Sequence, residues 1–99
     1  MQLKEVIEVV KDTELSKEQL EKYFDLVSAL SAELLLEISE LEKEEALFMD
    51  CKALNDSVAS VKVKWRGSTP GQRLIGLKRY LEACKILLRS IKNKIYAKL

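Results

Sequence analysis

Glu33, Glu37, Glu40 and Glu44 stand at i, i+4, i+7 and i+11, so on a helix they share one face. Di-metal bundle enzymes use such faces, but they complete the site with Glu-x-x-His on partner helices. This chain has no histidine, which removes the commonest general base and the commonest zinc ligand. Cys51 and Cys84 fall on apolar helical stripes and have no CxxC spacing. They read as buried core thiols, and a disulfide between them requires Cα atoms within about 7 Å. Ser68-Thr69-Pro70-Gly71-Gln72-Arg73 contains a glycine but lacks the spacing and lysine of a phosphate loop. The expectation is therefore no enzyme activity, no metal and no cofactor. Glu33, Glu37, Glu40 and Glu44 become a solvated face or a docking surface for a basic partner.

Charge is distributed unevenly. The net charge is +1, yet residues 1–60 hold fifteen acidic and six basic side chains, whereas residues 61–99 hold eleven basic ones and only Glu82. Attraction between the two segments across a shared apolar seam is the simplest reading. Lys78, Lys85 and Lys92 recur every seven residues beside that seam and are expected to face glutamates and set register. Arg79, Arg89 and Lys94 fall farther from it and are candidates for a partner. Trp65, Arg66 and Arg73 are placed at a turn tip, where Trp65 is expected to be exposed or half-exposed. A base-stacking role for Trp65 beside these cations makes nucleic acid the alternative partner.

The elements that must position these groups are helices. Leu3, Val6, Ile7 and Val10 predict a short amphipathic helix over 1–11; the β-branched residues make a strand the competing reading. Ser16 with Gln19 forms a capping box, with Leu15 and Leu20 as a hydrophobic staple. From Ser16 to Trp65 there is neither proline nor glycine, which predicts one acidic helix over 16–65, with Glu44–Glu45 or Asn55–Asp56 as the places for a kink. At the turn, Thr69 is the expected N-cap, Pro70 N1 and Gln72 N3. Gly67 is the expected left-handed residue after the preceding helix. Leu74, Leu77, Leu81, Cys84, Leu88, Ile91 and Ile95 then repeat every three or four residues, predicting a basic helix over 70–98. Gly76 within it suggests the close approach of a neighbouring helix.

The expected fold is thus all-α: residues 1–99 form one helical domain, a long antiparallel coiled-coil-like hairpin with a short N-terminal helix. A helix of about 50 residues is roughly 75 Å long, and a 29-residue partner covers only its Ile38–Trp65 half. Leu20, Phe24, Val27, Leu30, Leu34, Ile38 and Leu41 are then left over as an oligomerisation stripe, because so much bare apolar surface is costly. Either the long helix breaks near Glu42–Ala46 to give a compact three- or four-helix monomer, or two chains associate; as no turn signal marks that break, a homodimer completing a helical bundle is the expectation.

No apolar run of about 18 residues suggests a membrane span, and no signal-peptide pattern opens the chain. A cytoplasmic location is expected. In function, the chain reads as a small protein-interaction module: an assembly subunit, an adaptor or an inhibitor.

Overall fold

The computed structural model describes residues 3–11, 14–52 and 57–99, and there the chain is all-α. Four helices follow in order: α1 (Leu3–Val10), α2 (Lys17–Lys52), α3 (Val58–Gly67) and α4 (Thr69–Ala97). Among the described residues no helix is long and apolar enough to cross a membrane.

α1 buries Leu3, Val6 and Val10. That three-to-four spacing gives one helical face, which decides against the strand reading. α2 begins as its local sequence requires. Gln19 N–H donates to Ser16 Oγ at 3.2 Å, and Ser16 N–H donates to Gln19 Oε1 at 3.0 Å. Leu15 and Leu20 are both buried beside this reciprocal pair, as a staple demands.

The single helix expected over 16–65 is divided. α2 runs unbroken through Glu44–Glu45 and ends at Lys52, while Ser57 has an extended backbone at φ −67°, ψ 153°. Ser57 Oγ accepts the Ser60 N–H at 3.2 Å, so a new helix starts there. Neither proline nor glycine is involved. A serine hydroxyl that captures a nearby backbone N–H favours the start of a helix, and Ser57 fixes the start of α3 in this way. Asn55–Asp56, the other expected kink, lies outside the described residues.

The joint between α3 and α4 is one residue, Ser68, at φ −76°, ψ 160°. Its backbone N–H and its hydroxyl both donate to the Trp65 carbonyl. Its Oγ accepts the Gly71 N–H at 3.2 Å and its carbonyl accepts the Gln72 N–H at 2.9 Å. Ser68 rather than Thr69 is therefore the N-cap, and Pro70 sits one position later than expected, still in the first turn where no N–H is needed. Gln72 does not close a capping box; its side-chain amide donates to the Arg66 carbonyl. Gly67 is the last residue of α3, and no glycine has positive φ. The glycine this joint does require is Gly71, where an added Cβ would fall 1.8 Å from the Trp65 carbonyl oxygen.

The chain gathers into two compact units, Met1–Glu33 with Leu81–Leu99, and Leu34–Tyr80. The core of the first draws Leu3, Val6 and Val10 from α1, Leu20 and Val27 from α2, and Leu81, Cys84, Leu87 and Ile91 from α4. In the second, Leu34, Ile38 and Leu41 of α2 are buried together with Val61 and Trp65 of α3 and Leu74 of α4. Each large side chain fully buried in this way stabilises the fold by about 1.5–3 kcal/mol.

Candidate partner-binding surfaces

α2 presents Glu33, Glu37, Glu40 and Glu44 as exposed side chains. In the Leu34–Tyr80 unit, Arg73 of α4 reaches Glu37 with Nη2 to Oε2 at 3.2 Å. Glu37, Glu40, Leu41, Glu44 and Arg73 border a depression of about 190 Å³. No group of three or more His, Cys, Asp or Glu side chains placed to hold a metal occurs among the described residues. The bridge is exposed on both sides, so it contributes only about 0.2–1 kcal/mol and serves register more than stability.

The cations divide into three kinds. Arg66, Arg79 and Arg89 are exposed. Lys94 is half-buried, and its ammonium donates to the carbonyl of Val10 at the end of α1. That carbonyl is one of the four left unsatisfied at a helix C-terminus, where a cation also meets the negative end of the helix dipole. Lys94 thus caps α1 and keeps its charge beside that helix end. The expected array of Lys78, Lys85 and Lys92 opposite glutamates is not what forms. Lys85 pairs with Glu82 on its own helix at 3.3 Å, Lys92 lies 5.8 Å over the Tyr96 ring, and Lys78 is exposed.

Trp65 is placed differently from its expectation. It is 4% exposed and packs on Phe48 of α2, with ring centroids 5.5 Å apart and planes tilted by 50°. The indole is spent on holding α3 to α2 and cannot stack on a base. α3 is a separate short helix capped by Ser57, and it buries Val61 and Trp65 together.

The oligomerisation stripe is largely used within one chain. Leu20, Val27, Leu34, Ile38 and Leu41 are buried, and Phe24 and Leu30 are half-buried. α4 meets α2 at Glu37 through Arg73, and at Ser31 through the Cys84 thiol. These positions precede the Ile38–Trp65 stretch on which α4 was expected to lie. α3 meets the later part of α2 instead, and α4 is free to cover the leucine-rich part. Most of the expected stripe is therefore covered from within, while Leu35 and Leu36 beside it stay exposed.

The two thiols also differ. Both are free; Cys84 is buried and Cys51 exposed, against the expectation that both are core. Burial pushes the Cys84 thiol above its ordinary range, and hydrogen-bonding contact with the Ser31 side chain pulls weakly the other way.

One surface was not found from residue spacing. In the unit that contains α1, an apolar groove of about 340 Å³ runs between the two helices, lined by Ile7, Val10 and Lys11 of α1 and Ala83, Ile86, Leu87, Ser90 and Lys94 of α4. Ile86 stands 63% exposed on its wall. The signal available in the sequence was Ile86 itself, an isoleucine that falls outside the Leu74–Ile95 repeat on a basic helix. Comparison with protein-family models, curated proteins and solved structures finds no match to this chain.

Proposed function

We propose that this chain is a non-enzymatic protein-interaction module, an assembly subunit, adaptor or inhibitor that docks an apolar segment of another protein between α1 and α4. The observation that carries this reading is the groove, whose walls are aliphatic while Lys94 and the neighbouring Arg89 supply positive charge at its margin. Helix-in-groove recognition uses this combination, with aliphatic anchors providing affinity and flanking charge providing register. Pairing of α2 and α4 as a coiled-coil-like hairpin belongs to the same reading and is supported by the Arg73–Glu37 bridge. The test compares the tagged chain with Ile86→Glu in nuclease-treated extract. A stoichiometric complex held by the wild type and lost by the variant is expected. Equal recovery with both, or no complex with either, refutes the reading.

Nucleic acid is the second reading, and a specific observation favours it. Lys78, Arg79 and Arg89 are exposed on α4. Under that reading, retention on single- or double-stranded nucleic acid falls steeply with salt and is abolished by Arg79→Glu with Arg89→Glu. Retention that ignores salt or survives both changes removes it.

A further inference from the structure

Resting on the groove as a protein-docking site, we propose that its occupant is helix α2 of a second copy of this chain. The outward side of α2 carries Leu36 and Leu47, which are 69% and 65% exposed. Eleven residues separate them, so they lie three turns apart on one side of the helix, about 16 Å along it. Glu33, Glu40 and Glu44 flank this leucine ridge and are exposed, with Lys43 the basic exception between them. The ridge is an acidic surface with two aliphatic anchors.

The groove is its complement in three respects. Its α4 wall runs from Ala83 to Lys94, also eleven residues and about 16 Å, which matches the spacing of the two leucines. Its lining is aliphatic, with Ile86 exposed to receive an anchor. Its margin is basic through Lys94 and Arg89, while Lys11 is paired with Glu8 at 3.9 Å. An acidic helix with leucines at this spacing satisfies the groove, and the chain itself supplies one. Opposite charge around two apolar surfaces also sets which surface meets which, because ridge against ridge or groove against groove brings like charges together.

Light scattering coupled to gel filtration of the full chain, loaded on the order of 100 µM, reads association in the micromolar range. The wild type is expected at the mass of two chains or a larger multiple. Leu36→Glu and Ile86→Glu are each expected at the mass of one chain, their association weakened at least about tenfold by loss of one buried aliphatic anchor. Both side chains are largely exposed in the single chain, so circular dichroism should show unchanged helix content; Leu47→Glu replaces Leu36→Glu if it does not. Val63→Glu, exposed on α3 and not part of the groove lining, should keep the wild-type mass. A wild type of one-chain mass overturns the proposal, as does a multimer that survives the changes on both surfaces. If the wild type has one-chain mass while its extract complex is still lost on Ile86→Glu, the second copy is wrong and the interaction-module reading stands.

Discussion

Gly71 and Gly76 are five residues apart on α4 and have opposite requirements. At Gly71 the backbone of the first turn passes so close to the Trp65 carbonyl that no side chain fits, whereas nothing lies within 4 Å of a Cβ at Gly76. The close helix approach expected at Gly76 is absent, and the chain meets it at Gly71 instead. Gly71→Ala should lower stability by about 1–3 kcal/mol or more, since backbone rather than a flexible side chain must yield. Gly76→Ala should raise it by about 0.5–1 kcal/mol through helix propensity. Urea denaturation of the two variants checks both signs. The cysteines make a second contrast. At pH 7.5 an aromatic disulfide reagent should modify Cys51 quickly and Cys84 only after unfolding, because Cys84 is buried and its thiolate is disfavoured. The sign of the linkage follows from the raised thiol. An unfolded cysteine ionises near about pH 8.5, so the contribution of a neutral buried Cys84 is fully present below that and is lost as pH rises through the higher folded value.

Two serines and one lysine delimit the helices. Ser57 and Ser68 both adopt extended backbone, and each caps the helix that follows with its hydroxyl. Ser68→Ala removes the acceptor for Gly71 N–H and the donor to Trp65, and should cost about 0.5–2 kcal/mol in the same denaturation assay. Lys94 acts at the far end of α1. An eight-residue helix is unstable by itself, and this one depends on its buried face and on the ammonium that caps Val10. Lys94→Met should therefore speed amide hydrogen exchange across α1 while leaving exchange in α3 unchanged. Equal acceleration in both would show that Lys94 supports the whole fold rather than one helix end.

Across the whole molecule, two compact units share helices. α2 and α4 each contribute residues to both units, so neither unit can unfold without stripping partners from a helix that continues into the other. Trp65 lies in one unit and Cys84 in the other, which provides two independent probes. Trp65 emission and Cys84 accessibility should change at one common urea midpoint, as a two-state transition requires. Separate midpoints would show that α2 and α4 break at the unit boundary.

What the sequence by itself determined is what rests on near neighbours. The apolar spacing of Leu3, Val6 and Val10 sets the buried face of α1, and the Ser16–Gln19 box opens α2 at its expected residue. These depend on side chains three or four residues apart, which a linear reading contains in full. The break at Ser57 is local too, but a lone serine N-cap is common inside polar sequence and lacks the emphasis of proline or glycine. The tertiary structure alone decided which faces are covered. Lys94 finds Val10 across 84 positions of chain and Arg73 finds Glu37 across 36. Once α2 stops at Lys52 and α3 takes Phe48, α4 is free to cover the leucine-rich stretch of α2. Trp65 goes inside, most of the expected oligomer stripe becomes core, and Ile86, Leu36 and Leu47 are among the large apolar side chains left exposed. Periodicity marks every apolar face of a helix, but only packing settles which of them meets a neighbour within the chain and which is left to water.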